Sequence, residues 1–462
     1  MTPRLALRIL ALSLGALCAV GLWRVLAGLG VQVPLDPNEG WNAYHTAAAM
    51  RGAALYPPHD AYLVNNYPPL SFYIVGLVGR LMGDFIFAGR VVSLAAVAFI
   101  AVAMTAITRS FGVPRSAALF PALLFVCGLA FFSDYVGMDD PQLLAQAFGL
   151  AGAWVLLAAP RTTRTLVLSA GLFVISFFVK HNVVALPMAC ALWLFLQDHK
   201  SALRFAAFGI GLGLIGLVLF RLVYGVSLFS VVATARLYSF EQLFAALEAW
   251  LRWFALALAG LGLLIYIDWR RSDVQFCALY SGIAIALGIV FLGGAGVDVN
   301  AMFEADVALA LTAGVLIARL PGYRGVLAAA VYALPLLFNG ATDSDWQGVY
   351  WRLQPFREEA VVAGKDIAFL KARQGPALCE MLSFCYWAGK PPAVDFFNVG
   401  QQFETGARSD VALSAEIDAK RFAVIQFDPG SDASLGENAH TAMARAYRIH
   451  HSDWYGTFYV PK

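Results

Sequence analysis

The chain has 462 residues, of which 60% are hydrophobic and 13% charged, and its mean hydropathy is +0.69. That composition excludes a water-soluble globule and describes a polytopic membrane protein. A net charge of +2 leaves no global basic field for nucleic acid, so what matters is where along the chain the charges sit.

Arg4 and Arg8 precede an apolar run that reaches about Val33. The run is about twice the length of a signal-peptide core and lacks a small-residue cleavage site, so it is expected to be a retained first span. Further apolar segments, each roughly long enough to cross a hydrocarbon core, follow this first run. With it, they lie near residues 7–32, 85–108, 116–133, 141–159, 165–180, 182–197, 205–224, 251–268, 275–292, 303–319 and 325–338, about eleven in all.

With the N-terminus inside, alternate loops carry Arg109 and Arg115, Arg161 and Arg164, Lys200 and Arg204, Arg270 and Arg271, and Arg319 and Arg324. Each of these loops is basic, as cytoplasmic loops should be. The opposite loops collect Asp36, Glu39, Asp60, Asp134, Asp139, Asp140, Asp298, Glu304 and Asp306. The run 165–196 is interrupted only at Lys180-His181-Asn182. Parity requires two short helices there, because one span would reverse the charge bias of every later loop. Lys180 then lies at an outer turn.

The first outer loop opens with Pro34-Leu-Asp-Pro-Asn-Glu-Gly-Trp-Asn-Ala-Tyr-His45. Its plainest reading is a capping box: Asp36 as N-cap, Pro37 at the first helical position, Glu39 reaching back to the cap amide. Capping uses only part of a carboxylate's capacity. The residues after it, Trp41, Tyr44 and Ala47 to Met50, predict an amphipathic helix along the membrane surface, which would leave both acids in a wet cleft. Asn65-Asn-Tyr-Pro-Pro-Leu70 then predicts a rigid turn, which as a plain brace needs no further role, feeding a second short apolar helix that ends at Gly83. Arg90 lies near a membrane entry, where such a side chain commonly snorkels to headgroups.

The second outer loop carries Asp139 and Asp140 before Pro141. One is expected to cap the next span, and the other has no structural task. Asn300 and Glu304 stand one helical turn apart, and a carboxylate at that depth is costly unless it is used. From about Ala341 the chain becomes charged, with β-rich runs at 421–427 and 456–460, which predicts an outward-facing α/β tail. There Cys379 and Cys385 can pair in an oxidising compartment; spacing alone does not supply the geometry, and both states stay open. Cys18, Cys127, Cys190 and Cys277 fall in apolar spans and are expected to be inert. The sequence contains no internal repeat and no low-complexity segment.

The expected outer cleft thus holds clustered acids, the cations Arg90, Lys180, His181 and Arg236, and aromatics. A carboxylate base beside a cationic phosphate clamp suits transfer from a lipid-linked phosphosugar: the acceptor hydroxyl loses a proton while the departing phosphate gains charge.

The acidic first loop, the Tyr67-Pro-Pro-Leu70 turn, the second acidic loop, the lysine at a short turn, the Asn300-x-x-x-Glu304 segment and the soluble tail together resemble the GT-C membrane glycosyltransferases. The nearest type is the bacterial branch related to lipid A aminoarabinose transferases and protein O-mannosyltransferases. The likeness spans nearly the whole chain, and order and sidedness carry it more than any single motif.

It implies an α-helical polytopic fold, N-in and C-out. Residues 1–340 would form the membrane-embedded catalytic domain, with 34–84 as the first outer loop, and 341–462 an extracytoplasmic α/β domain. It also implies an inverting enzyme using a polyprenyl-phosphate sugar, a lipid, glycan or protein acceptor, contact with membrane lipids and none with nucleic acid. The catalytic acid would be Asp36 or Glu39, with Tyr67, Arg90, Asp139, Asp140, Lys180, His181, Asn300 and Glu304 binding substrate.

Two departures stand out. Where the family commonly has adjacent Asp-Glu, this chain has Asn38-Glu39 with Asp36 two residues before, so either acid can be the base. Tyr67 replaces a lysine that often precedes the Pro-Pro, which shifts the phosphate clamp to other cations. Some members use a divalent metal; Asp36, Glu39, Asp139 and Asp140 would be its ligands here, though nothing requires one. The span set and sequence style place the protein in a bacterial cytoplasmic membrane. A transporter or flippase of a lipid-linked envelope precursor is the alternative, but inverted repeats and matching broken helices are not evident. A non-catalytic assembly subunit is a third reading, and it would tolerate loss of the acids.

Overall fold

A computed structural model describes residues 1–58, 60–234, 236–342, 352–354, 356–431 and 435–462. In chain order the first fifteen helices are α1 (Pro3–Gly28), α2 (Pro37–Arg51), α3 (Leu70–Met82), α4 (Phe85–Ser110), α5 (Arg115–Ala118), α6 (Phe120–Phe132), α7 (Gln142–Ala158), α8 (Thr163–Val179), α9 (Ala185–Gln197) and α10 (His199–Tyr224), then α11 (Leu228–Val232), α12 (Phe240–Asp268), α13 (Ser272–Leu292), α14 (Phe303–Arg319) and α15 (Tyr323–Thr342). Each apolar segment expected to cross the membrane falls on one of these helices, apart from 116–133, which is divided between α5 and α6, because in hydrocarbon a backbone must satisfy its polar groups within its own run. Among the described residues, six helices are long and apolar enough to cross by length and composition: α1, α4, α10, α12, α13 and Val299–Arg319, the last being α14 with the 3-10 turn before it.

The run at 165–196 is two helices. α8 ends at Val179, Lys180 is its C-cap, and α9 begins at Ala185. α14 is the centre of the bundle and is buried along nearly its whole length, whereas α10 and α12 turn leucine, phenylalanine and tryptophan outward. α2 starts at its Asp36 cap and Pro37 and stops at Gly52, which takes the left-handed conformation that glycine adopts without strain.

The tail carries a four-stranded sheet ordered β1 (Ala377–Cys379), β2 (Val424–Phe427), β4 (Gly456–Pro461), β3 (Tyr447–Asp453). β1 and β2 run parallel, and the other pairs are antiparallel. The strand expected over 421–427 begins at Val424, because Phe422 is held by the Tyr447 hydroxyl and Lys420 takes a left-handed turn first. The expected division at residue 341 falls in the last turn of α15, and residues 343–351 lie outside the described residues.

The tail packs into the membrane-side elements. Val33 and Tyr44 enter the cluster built on Ala363, Leu370, Phe384 and Phe458. α2 lies so close to helix Leu382–Trp387 that a Cβ at Gly40 would stand 2.1 Å from the Ser383 nitrogen. Cys379 and Cys385 are disulfide-bonded with Cα atoms 5.9 Å apart, and the other four cysteines are free and buried.

Candidate active site

Asp36 and Glu39 end up in different environments. Glu39 is fully buried, and its carboxylate takes Arg90 Nε at 2.7 Å and Nη2 at 2.6 Å. It also accepts the Leu35 N–H at 3.1 Å and the Asp139 N–H at 3.3 Å. The capping box is therefore only half made: Glu39 reaches past the cap amide to the residue before it, because Arg90 draws the carboxylate toward α4.

The expectation that Glu39 faces water fails, and so does a snorkelling Arg90. Arg90 is 1% exposed and donates to Gly28 O, Val31 O and Val33 O as well as to Glu39. A guanidinium has five N–H groups, and these bonds use all of them. Arg90 thus ties α4 to the α1–α2 connection and keeps no donor for a phosphate.

Asp36 is half-buried. One carboxylate oxygen accepts the Asn38 N–H at 2.8 Å, and among the described residues its other oxygen has no hydrogen-bond partner. Burial, then the negative charges of Asp140, Glu39 and Asp298, push its pKa up to about 6. A carboxylate tuned in this way, with a lone pair to spare, is suited to accept a proton near neutral pH.

Asp140 does two jobs. Neither Asp139 nor Asp140 is the N-cap of α7, a position that Pro141 takes, but Asp140 accepts the Gln142 N–H, the first amide of that helix, at 2.7 Å, and Lys180 Nζ approaches it at 2.9 and 3.2 Å. The ammonium also lies 5.0 Å from the Tyr67 ring centroid. His181, on the same turn, is half-buried with an unpartnered Nδ1.

Asp139, the acid without an evident task, is 3% exposed and packs against Gly89, where any Cβ would collide with its carboxylate. Burial, then Glu39 and Asp140, raises its proton affinity well above the ordinary carboxylate range. It is packed at the loop junction, away from open solvent. Among the described residues, no three of Asp36, Glu39, Asp139 and Asp140 bring ligand atoms together for a metal, because Arg90 and Lys180 already serve as counter-charges for two of them.

Glu304 also has a structural task. Its oxygens accept Ala185 N–H at 3.0 Å and Leu186 N–H at 2.9 Å, so it caps α9 from another helix and satisfies amides that the short helix would leave open. The cost expected of a buried carboxylate is met there. Asn300 lies half-buried in the 3-10 turn Val299–Met302 before α14, so it and Glu304 do not share a regular helical face.

One residue of the connection between α11 and α12 has a setting that the sequence leaves obscure, because its partners come partly from the tail. Arg236 is held by long bonds to Ala295 O at 3.3 Å and Asn398 Oδ1 at 3.4 Å, and its guanidinium lies 5.4 Å from the Phe397 ring centroid. Asn398 is itself fixed by buried Asp395, which also receives Trp41 Nε1 at 3.0 Å. The positive charge of Arg236 reaches both Tyr67 and His181. Tyr135 of the second loop feels Asp140, Asp298, Tyr67 and Asp36 and stands edge-on to Phe303. Its position among the acids was the only clue in the sequence.

A cavity of about 520 Å³ lies between α6, α12, α14 and α15. Its wall is mostly apolar, from Leu124 and Phe125 to Tyr332 and Leu336, and Asp298 stands at its polar part. Asp298 is also among the charges that act on Asp36, so the acids of the outer loops stand near the polar end of this cavity.

Against known proteins, no family model and no curated sequence matches this chain. Solved structures do match. ArnT from Cupriavidus metallidurans bound to undecaprenyl phosphate aligns over 97% of both chains at 14% identity, with a TM-score of 0.64. This chain has the GT-C fold. The apo form of the same ArnT gives 0.62 over 96% of each chain. The archaeal oligosaccharyltransferase AglB from Archaeoglobus fulgidus, in complex with an inhibitory peptide and a dolichol-phosphate, gives 0.50 at 12% identity, covering 97% of this chain and 74% of that one. The GT-C fold thus extends through the tail as well as the helical bundle.

Proposed function

We propose that the protein is a membrane glycosyltransferase that moves a sugar from a polyprenyl-phosphate donor to a hydroxyl acceptor, with inversion, at the outer face of a bacterial cytoplasmic membrane. The carrying observation is Asp36: a half-open carboxylate with a pKa near 6 and a free oxygen, beside the Lys180–Asp140 pair and next to an apolar cavity.

In this reading the acceptor hydroxyl gives its proton to Asp36 as its oxygen bonds to the anomeric carbon. The anomeric carbon–oxygen bond to phosphate breaks, and its electron pair stays on the phosphate as a lipid-linked monoester. Lys180 and Arg236 stabilise that added charge. The apolar cavity takes the first isoprenes, and Tyr67, beside Lys180, walls the sugar.

The basic loops at Arg109 to Arg324 support an inside N-terminus, which makes residues 341–462 an extracytoplasmic domain and sets the acidic cleft outside. The undecaprenyl phosphate bound to ArnT and the dolichol-phosphate in complex with AglB support the donor class. The test is incubation of membranes containing the protein with a panel of radiolabelled polyprenyl-phosphate sugars. Label leaving one donor for a lipid, glycan or protein, in the wild type and not in Asp36→Asn, is the expected result. If no donor loses label, or if Asp36→Asn transfers at the wild-type rate, the reading fails.

A further inference from the structure

Away from the cleft, the tail brings Asp366, His451 and Asp453 together with one ligand atom from each, all within 4.8 Å of one another. Asp366 comes from helix Arg357–Ala372, the other two from β3. His451 Nε2 lies 3.1 Å from Asp366 Oδ1 and 3.8 Å from Asp453 Oδ2. Ligand atoms about 2.0–2.2 Å from a tetrahedral zinc ion stand about 3.4 Å apart, and the two observed separations bracket that value.

Three further observations point to a ligand rather than to a simple ion pair. Asp366 is 2% exposed, and among the described residues its Oδ2 accepts no hydrogen bond, although a buried carboxylate oxygen without a partner is costly. Two carboxylates face one imidazole, and like charges this close need a shared proton or a cation.

The strand is also irregular here. The register of β3 against β4 shifts between Ile449 and His451. Successive side chains of a regular strand point to opposite faces; here His450 Nδ1 and His451 Nδ1 meet at 2.8 Å. A metal-ligating histidine needs its second nitrogen held as a donor, and His450 is the acceptor in place for it. The stacking of His451 on Phe458, with centroids 4.5 Å apart and rings 6° from parallel, fixes the ring plane.

We propose that Asp366, His451 and Asp453 form a binding site for one divalent transition-metal cation of the zinc class. Imidazole with two carboxylates suits such an ion, and the partial exposure of His451 and Asp453 leaves room for water as a further ligand. The ion fastens helix Arg357–Ala372 to the β3–β4 hairpin. The same helix carries Glu359, which pairs with Arg24 of α1 at 2.8 Å, so the site steadies the element that docks the tail on the bundle.

The test uses the full-length protein in detergent, stripped with chelator and titrated with Zn²⁺ against a chromogenic competitor, and separately with Co²⁺ to read the ligand-field spectrum. One saturable equivalent, a four- or five-coordinate cobalt spectrum and a rise in Tm with Zn²⁺ are expected. His451→Gln should abolish all three, and Asp366→Asn should weaken binding about tenfold or more. Because Asp366 is buried, its variant risks misfolding; Asp453→Asn, on a partly exposed residue, gives the same readout without that risk. Absence of saturable binding to the stripped protein, or unchanged affinity in both His451→Gln and Asp453→Asn, overturns the proposal.

Discussion

The α1–α2–α4 junction and the cleft beside the α8–α9 turn are each built around a buried acid–base pair, yet they are suited to opposite tasks. At the junction, Glu39 and Arg90 satisfy each other, and the remaining arginine donors go to three backbone carbonyls. Nothing is left over for a substrate. Beside the α8–α9 turn, Lys180 meets Asp140 and Tyr67, and among the described residues Arg236 is held by long bonds alone and Asp36 keeps an oxygen without a partner. What separates the two places is spare hydrogen-bonding capacity, since charge and burial alone look alike in them, and that capacity is the reason for proposing the chemistry at the second.

Substitutions sharpen this contrast, beginning with the acids three residues apart. Asp36→Asn is expected to lower the transfer rate by about 10²–10⁴-fold while the Tm stays near wild type. Glu39→Gln is expected to cost about 3–5 kcal/mol of stability, because it strands the buried Arg90 charge, and its loss of activity should track loss of folded protein in a thermal melt. If Glu39→Gln folds normally and is inactive, the assignment of the two acids is reversed.

Arg236→Ala is expected to reduce kcat/KM about 10–100-fold, chiefly through the donor, since a charged contact to phosphate contributes about 1.5–3 kcal/mol. Initial rates against donor concentration would show it, with an unchanged melt.

The pH profile reports the same carboxylate. A base must be deprotonated, and Asp36 has its pKa raised to about 6, so kcat/KM should fall about tenfold per pH unit below 6 and level off above it. A profile flat to pH 5 would remove Asp36 as the base.

The smallest effect is expected behind the junction. The Cys379–Cys385 bond closes a short loop beside the helix that packs on Gly40, and Cys379→Ser with Cys385→Ser should lower stability by about 2 kcal/mol without changing transfer.

The bundle was legible in the order of residues because each apolar run must close its own backbone hydrogen bonds in hydrocarbon; that demand is local. The break at Lys180 followed from the parity of basic loops, and the helix start at Asp36 from its cap and proline. The α/β character of the tail was legible from its short β-rich runs. The roles of the acids were not. Glu39 meets an arginine 51 residues away, Glu304 caps a helix that begins 119 residues earlier, and Trp41 reaches Asp395 across 354 residues. No local pattern encodes such partners.

The sequence by itself determined the class of molecule, the helical segments and the loops in which chemistry was to be sought, because hydropathy, caps and charge bias act over a few residues. Only the tertiary structure decided which carboxylate is spent and which is open, and that the tail lies against the cleft. Desolvation and hydrogen-bond satisfaction depend on whatever the fold brings alongside each group, from any distance along the chain.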